Sequence, residues 1–370
     1  MKISLNILLL FAISWVWSLT GQELPPVKNY APADYLAENQ NWAISQSGEK
    51  LVYVANNKGL LAFNGSKWTL YPSPNETIMR SVRVVDNRIY TGCYMEFGYW
   101  EEDTLGRLQY TSISQGIKSD LLEDEEFWTI LQVDDYVLFQ SLNRIYAYNL
   151  TDKTVAPIAS GINLPKMFAV DESIYFQKIN QGIFRIENGV EKLVFDEAVV
   201  QQDEVVSVFQ VEGELLILTR HNGFWKTRGT ALERWRTKAE ALFSEISVYT
   251  GLQLADGSYA LGTISHGLIV LDKNGEVLYR IDELNGLRNN TVLSLFQDVD
   301  SNLWLGLDNG VSYANLDSPF WVYRDNRGIV GSVYATAIKD DYLYLGTNQG
   351  LFYKNLNNKN GFAFIKGTQG

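Results

Sequence analysis

Short apolar runs separated by polar turns repeat along the whole chain. The clearest copy, NTVLSLFQDVDSNLWLGLDNGVSYAN, spans residues 290–315 and holds apolar runs at 292–296, at 303–307 and from Val311 onwards. Each run is rich in Val, Leu, Trp and Tyr and is too short for a helix, so we expect β-strands. The Asp, Ser, Asn and Gly residues between the runs favour tight turns.

The same pattern occurs eight times. A turn residue between the second and third runs marks each copy, and the eight markers are Gly59, Gly98, Arg144, Gly182, Gly223, Gly267, Gly310 and Gly350. Neighbouring markers are 38 to 46 residues apart. Acidic turns between the first and second runs follow the same period. A repeat of about 40–45 residues with four strands is typical of a β-propeller. The predicted fold is therefore all-β, a propeller of four-stranded antiparallel blades.

An interruption near Pro319 divides the repeats. We expect an extended, proline-containing lead-in at 22–41, seven repeats at 42–318 and an eighth repeat at 319–370. Either eight blades close one ring, or seven close and the eighth begins a second propeller, which the interruption favours. In the second case we expect the chain to be a fragment, because a lone blade leaves its sheet faces and an edge uncovered.

The N-terminus has the composition of a signal peptide. Lys2 precedes an apolar run at 7–17, and small residues follow at 18–21. This arrangement predicts a signal peptide at 1–21, with cleavage near Gly21. An uncleaved anchor is the alternative, although the run is short for a membrane span. We expect the mature segment to be exported to the periplasm.

Charge and composition limit the classes of molecule and ion that the chain could bind. The chain has 370 residues, a formal net charge of −12 and a hydrophobic fraction of 46%, which is enough for a large core. This negative charge disfavours nucleic-acid binding, which depends on basic surfaces. The single cysteine, Cys93, is expected to be a buried small hydrophobe. Two histidines are too few for a His/Cys zinc site, so we expect no metal and no other cofactor.

No motif predicts catalysis. The turn at 298–302 begins like a calcium loop, but Leu303 and Asn309 stand where glycine and glutamate are needed, so we expect a structural turn. A serine triad would need His221 or His266. Both lie in equivalent loops of successive repeats, and we expect structural roles. No spacing selects a carboxylate pair for glycoside hydrolysis.

Two further groups of residues are expected to be structural. The acidic run at 123–126, inside a long insertion at 101–126, is interpreted as a solvated loop. Trp42, Trp128 and Trp304 are expected to pack between blades more readily than to act as sugar platforms.

Binding is expected on one face of the propeller. If the strands of a blade are named A to D in chain order, the B–C and D–A loops emerge on one face, here called the loop face. The A–B and C–D turns emerge on the other, here called the turn face. The loops vary between repeats, and variable loops on a rigid scaffold usually carry binding. The predicted ligand-binding residues are Arg80, Tyr94, Glu96, Trp128, His221, His266, Asn290 and Tyr334.

The repeat VLSLFQDVDSNLWLGLDNGV at 292–311 resembles the two-component-regulator propeller repeat, and so do NQNWAISQ at 39–46, EFGYW at 96–100 and GSVYATAIKDDYLYLGTNQGLFY at 331–353. The resemblance is to the periplasmic sensor region of Bacteroidota regulators. It implies one or two propellers followed by a triple-tyrosine-motif domain, a membrane helix and a cytoplasmic output. That output is a histidine kinase, as in hybrid systems, or a LuxR-type helix-turn-helix that regulates transcription.

The sequence thus predicts the non-catalytic, extracytoplasmic sensor region of a signalling protein. The resemblance implies a carbohydrate or another nutrient as the ligand, and a full-length protein that is anchored in the inner membrane by domains outside this segment and forms a homodimer. Two alternatives remain open. One is a secreted propeller enzyme acting on polysaccharide, and the other is a protein-binding scaffold with no small ligand.

Overall fold

The computed structural model describes residues 23–160, 166–187, 189–325, 328–357 and 361–369. The predicted signal peptide lies outside these residues. The chain divides into two compact units, Pro26–Ser318 and a second unit that combines residues up to Pro25 with Pro319–Gly370. Within the described residues, no helix has both the length and the apolar character needed to cross a membrane.

The first unit consists of seven four-stranded antiparallel sheets, which confirms the predicted β-propeller fold. The inner A strands are β3 (Asn41–Gln46), β7 (Ser81–Val85), β11 (Thr129–Val133), β15 (Met167–Val170), β19 (Val205–Val211), β23 (Val248–Gln253) and β27 (Val292–Gln297). The B strands are β4 (Val52–Asn56), β8 (Arg88–Cys93), β12 (Tyr136–Gln140), β16 (Ser173–Lys178), β20 (Glu214–Thr219), β24 (Tyr259–Thr263) and β28 (Leu303–Leu307).

The two outer positions of each sheet complete the blades. The C strands are β5 (Gly59–Phe63), β9 (Glu96–Glu102), β13 (Arg144–Asn149), β17 (Gly182–Glu187), β21 (Gly223–Arg228), β25 (Leu268–Leu271) and β29 (Gly310–Ala314). The D strands are β6 (Trp68–Pro72), β10 (Leu108–Ser112), β14 (Val155–Ser160), β18 (Val190–Phe195), β22 (Ala231–Arg234), β26 (Val277–Ile281) and, in the seventh sheet, β2 (Val27–Tyr30). Short helices are α1 (Pro32–Tyr35), α2 (Ala198–Gln202) and two 3₁₀ turns at Ser114–Ile117 and Glu240–Ser244.

The seven inner strands form a closed cycle. Each contacts the inner strand of the next sheet, and β27 contacts β3. The seventh sheet obtains its outer strand from the start of the chain, because β2 pairs antiparallel with β29 from Val27 opposite Ala314 to Tyr30 opposite Val311. The extended lead-in predicted at 22–41 is therefore corrected: it contains a strand of the ring and a helix. Its pairing partner is so distant in sequence that no local pattern could indicate it.

Aromatic packing and buried hydrogen bonds close the ring. The Tyr30 ring lies 5.2 Å from Phe63 and 5.4 Å from Trp68 of the first sheet, measured between centroids. The Asn41 side chain is fully buried, and its Nδ2 donates to the Gly310 carbonyl at 2.8 Å. Ring contacts at these distances stabilise beyond the area that they bury. The junction between the first and seventh sheets is therefore specified by both kinds of contact.

The hydrophobic core lies between successive sheets. Between the second and third sheets, Phe97 packs 4.3 Å from Phe139 and 4.7 Å from Phe127. Cys93 is buried between the first two sheets, as predicted, and burial raises the pKa of its thiol to about 12. Trp304 is buried between the seventh and first sheets, which confirms its predicted packing role.

The turn at 298–302 is structural. The Asp298 carboxylate accepts hydrogen bonds from the Asn302 backbone at 2.9 Å and from Trp304 Nε1 at 2.9 Å. Ser301 takes the left-handed position of this five-residue turn, with a φ of 63°. In the shorter, two-residue A–B turns of other sheets the first residue, Asp86, Asp134 or Asp171, is left-handed. Asp and Asn tolerate this conformation better than most residues. Within the described residues, no group of three His, Cys, Asp or Glu side chains could hold a metal ion.

The second unit contains one four-stranded sheet. Its strands are β31 (Val333–Lys339), β32 (Tyr342–Thr347), β33 (Gly350–Asn355) and β34 (Ala363–Phe364), while β1 (Glu23–Leu24) pairs with β30 (Val322–Tyr323). Lys354, nearly buried, forms an ion pair with Glu23 at 2.7 Å. Every residue of β31 is exposed.

Candidate functional site

The inner strands place one side chain each around a common opening on the loop face. In four sheets the inner strand is bulged near its start, at Trp42, Val206, Tyr249 and Leu293. A bulge turns the extra side chain away from the regular alternation. Arg80, Trp128 and Lys166 directly precede the inner strands of the other three sheets. These residues line an open cavity of about 500 Å³. Six of the seven inner strands contribute to it and Arg80 directly precedes the remaining one, so the cavity lies at the centre of the ring.

On one side of the cavity an arginine is held between two tryptophans. The Arg80 guanidinium carbon lies 4.2 Å from the Trp42 ring centroid and 4.4 Å from that of Trp128. Arg80 Nε is 3.4 Å from a Glu126 carboxylate oxygen, and Trp42 Nε1 donates to Asn57 Oδ1 at 2.7 Å. The two tryptophan rings meet edge to face at 5.7 Å between centroids, and a cation–π contact with each of them adds to the ion pair. The guanidinium is therefore held by Trp42, Trp128 and Glu126.

On the other side, two cations flank a tyrosine. Lys166 Nζ lies 4.8 Å from the Tyr249 ring centroid and the Arg220 guanidinium carbon lies 5.8 Å from it. Arg220 forms an ion pair with Glu204 at 2.8 Å. Burial lowers the pKa of Lys166 to about 8; the charge of Glu204 raises it and that of Arg220 lowers it further. The ion pairs found among the described residues do not include Lys166.

Two of the eight predicted ligand-binding residues, Arg80 and Trp128, line this cavity. Tyr94 lies outside it and donates its hydroxyl to Asp124 at 2.6 Å. Glu96 points into the second sheet, where it accepts hydrogen bonds from the hydroxyls of Tyr110 and Ser112. The structure does not bring Tyr94 and Glu96 into the cavity lining.

Three of the other predicted residues are held by local loop contacts. His221 Nδ1 lies 3.0 Å from Asp203, and His266 Nδ1 lies 3.0 Å from the Ser265 hydroxyl. Asn290 accepts a hydrogen bond from the Glu283 backbone at 2.9 Å. Burial acts to raise the pKa of Asp203, but hydrogen bonds from the backbone and side chain of His221 and from nearby polar side chains outweigh it, so that pKa is lowered. Tyr334 is 78% exposed and belongs to the second unit.

Sequence reasoning missed most of the lining. The missed charged residues are Lys166, Glu204 and Arg220, and the missed aromatic residues are Trp42, Phe168 and Tyr249. Trp42 and Trp128, which were expected to pack between blades, contact each other edge to face at 5.7 Å between ring centroids and also line the cavity. The signal that could have found this set is positional, since Trp42, Lys166, Glu204 and Tyr249 all lie within two residues of the start of an inner strand.

The acidic run also differs from its predicted solvated state. Glu125 is 1% exposed and accepts hydrogen bonds from the hydroxyls of Ser141 and Tyr146, both at 2.7 Å. Glu126 pairs with Arg80. Two of the four acidic residues therefore attach the long insertion to the third sheet and to the cavity wall.

Known proteins share both the repeat and the fold. A family model described as two component regulator propeller matches residues 286–309. The extracellular domain of a hybrid two-component system from B. thetaiotaomicron is similar at 15% identity with a TM-score of 0.69, covering 92% of this chain and 49% of that one. A second such domain from the same organism is similar at 18% identity and a TM-score of 0.63, covering 93% and 47%. The shared fold is the β-propeller.

The same propeller fold also occurs in enzymes. A streptogramin B lyase is similar at 13% identity with a TM-score of 0.59, covering 79% of this chain and 97% of the lyase. The comparison with curated proteins gave no significant match. This chain spans about half the length of the two bacterial extracellular domains.

Proposed function

We propose that this chain is the ligand-binding propeller of an extracytoplasmic sensor, and that the ligand occupies the central cavity of the loop face. The observation that carries the proposal is the convergence of aromatic rings and cations around one opening of about 500 Å³. Sites for small molecules typically measure about 300–1,000 Å³ and combine aromatic walls with a few placed polar groups.

The cavity is arranged in advance. The contacts of Arg80 with Trp42 and Trp128 fix three side chains, and each is attached to a strand of a closed ring. A site whose side chains are already ordered loses little conformational entropy when a ligand binds. Such a site is suited to recognition of a small molecule present at low concentration.

Binding without turnover is the chemistry that we assign to it. Among the described residues, Glu204 is the only carboxylate that lines the cavity, and it is paired with Arg220. Glycoside hydrolysis uses two carboxylates placed on either side of the scissile bond. His221 and His266 do not line the cavity, so neither stands where it could act as a base for a ligand bound there.

The match to the regulator repeat and the likeness to bacterial extracellular domains support a place for the chain outside the cytoplasm. We infer that a signal peptide exports it, and that further domains of a longer protein pass the signal to a kinase or transcriptional output. The eighth sheet would then begin a second propeller, whose next blade would cover the exposed β31. Sequencing the gene beyond codon 370 tests this; a stop codon there would contradict it.

A thermal-shift screen tests the binding function. The probes are neutral and acidic mono- and disaccharides, amino acids and small organic acids. We expect at least one probe to raise the Tm of the wild type and to lose this effect in Trp128→Ala. Tyr136→Ala is the matched control, because Tyr136 lies in the same sheet at the turn face and is 42% exposed. Equal responses of the two variants would contradict binding in the cavity.

A further inference from the structure

The cavity lining is positively charged in an acidic protein. The chain has a net charge of −12, yet the lining contains Arg80, Lys166 and Arg220 against the single carboxylate of Glu204 among the described residues. We propose that the ligand of this cavity is a small anionic ring compound, an acidic sugar that bears a carboxylate or sulfate group. This rests on the proposed binding function and specifies its ligand.

Lys166 is the residue that most needs an anionic partner. Its ammonium group donates to the Tyr249 carbonyl, and the ion pairs of the described residues leave it out. The Arg220 guanidinium carbon lies 5.8 Å from the centroid of the same Tyr249 ring, and its charge acts on Lys166 against that of Glu204. Two cations held together and partly removed from water destabilise one another, and an anion placed between them offsets that repulsion.

The two arginines differ in how far they are already neutralised. Arg220 has a short ion pair with Glu204 at 2.8 Å, while the Arg80 ion pair with Glu126 is longer, at 3.4 Å. Lys166 therefore supplies the main charge for the ligand, and the arginines supply additional donors. A carboxylate or sulfate accepts hydrogen bonds only, and so matches a lining rich in donors.

Two aromatic side chains in the lining explain why we expect the anionic group to be carried on a sugar ring. Trp128 and Tyr249 both contribute to the lining. Aromatic faces pack well against the apolar face of a flat ring, and their polar edges stay available for hydrogen bonds. An inorganic anion alone would contact Lys166 and add nothing to the contacts that these rings already make with Arg80 and Lys166.

A neutral sugar fits the lining less well. It would cover Lys166 and remove its remaining water without supplying a counter-charge. Removing a cation from water without a partner is unfavourable. We therefore expect discrimination between an acidic sugar and its neutral counterpart at this site.

Titration calorimetry on the full chain at pH 7 tests the inference with matched pairs. The probes are glucuronic acid and glucose, galacturonic acid and galactose, and galactose 6-sulfate, with sodium sulfate as the free-anion control. We expect at least one acidic sugar to bind at least tenfold more tightly than its neutral partner. We expect Lys166→Met to lose at least tenfold of that affinity.

Lys192→Met is the matched control, because Lys192 lies in the same sheet near its C–D turn and is exposed. It should bind like the wild type. A circular dichroism spectrum and a Tm for each variant separate loss of binding from loss of folding.

The outcomes separate the two proposals. If a neutral sugar binds as tightly as its acidic partner and Trp128→Ala abolishes it, the inference is overturned and the binding function stands. If sulfate alone binds as tightly as the acidic sugars, the part of the inference that requires a sugar ring is overturned. If the acidic sugars bind equally to wild type and Lys166→Met, the anion site is elsewhere and the inference falls. If no probe binds, both proposals fail for these ligand classes.

Discussion

The two faces of the ring differ in how much their residues vary from one repeat to the next. On the turn face, four of the seven A–B turns use one device, a two-residue turn whose first residue, Asp86, Asp134, Asp171 or Glu212, has a φ of 50–53°. On the loop face, the residue near the start of each inner strand changes from sheet to sheet. Positions that keep the same residue type in several sheets serve the fold. The positions near the start of the inner strands carry side chains that differ between sheets, and these side chains form the central cavity.

The largest effect is expected on the turn face. Asp298→Ala should lower the free energy of unfolding by about 2–4 kcal/mol, because it leaves the buried donors of Trp304 and Asn302 without their acceptor. Urea unfolding measures the change. Asp300→Ala is the control, since its carboxylate is exposed and pairs only with exposed Lys50, so a change within about 0.5 kcal/mol is expected. Equal losses in the two variants would refute the structural role of Asp298.

The second-largest effect is a gain in stability, and it concerns Lys166 in the cavity. The pKa of Lys166 in the folded protein, about 8, is below its ordinary value of 10.5. The unfolded chain therefore binds more protons between these values, and the stability of the wild type should rise with pH across that window. Lys166→Met removes the cost of a buried charge and should be more stable than wild type by about 1–3 kcal/mol at pH 7.

Urea unfolding of Lys166→Met from pH 7 to pH 10 should show a smaller rise in stability than that of the wild type. Lys192→Met should keep the rise seen in the wild type. A variant that is less stable than the wild type at pH 7 would show that Lys166 contributes to folding and is not held at a cost.

A smaller effect tests the arginine between the tryptophans. A double-mutant cycle of Arg80→Gln and Trp128→Leu should give a coupling free energy of about 0.5–2 kcal/mol, because the guanidinium contacts the ring directly while little exposed to water. The same cycle with Arg228→Gln in place of Arg80→Gln should give no coupling. Absence of coupling in the first cycle would contradict a cavity whose side chains are ordered before a ligand binds.

The smallest effect on stability compares two ion pairs of one sheet. Arg228→Gln removes an exposed pair with Glu233 at the turn face, and Arg220→Gln removes a less exposed pair with Glu204 at the loop face. We expect Arg228→Gln to leave the free energy of unfolding unchanged and Arg220→Gln to lower it by about 1 kcal/mol. Only Arg220→Gln should weaken ligand binding in calorimetry. If both variants bind the ligand equally well, Arg220 takes no part in ligand binding.

The blades could be predicted from sequence because strand and turn signals are local. Alternating runs and acidic turns are repeated in each sheet, so every copy supports the others. Strand β2 could not be predicted in this way, because Val27 to Tyr30 pair with residues 311–314, at the far end of the ring. Ring closure is a long-range contact, and no property of four residues between prolines encodes it.

The cavity was harder to predict than the blades. Arg80 and Trp128 were found because they lie beside variable loops. Trp42 and Tyr249 were missed because a bulge, and not the alternation of the strand, sets where their side chains point. Glu125 was missed because its partners, Ser141 and Tyr146, lie in another sheet, so a run of acidic residues gave no sign of burial.

Hydrogen–deuterium exchange with and without the probe that gives the largest thermal shift is the most direct test of a ligand site in the cavity. We predict protection at the starts of the inner strands, in peptides that contain Trp42, Arg80, Trp128 and Tyr249, and unchanged exchange in the A–B turns. Protection confined to the turn face or to the eighth sheet would contradict the account.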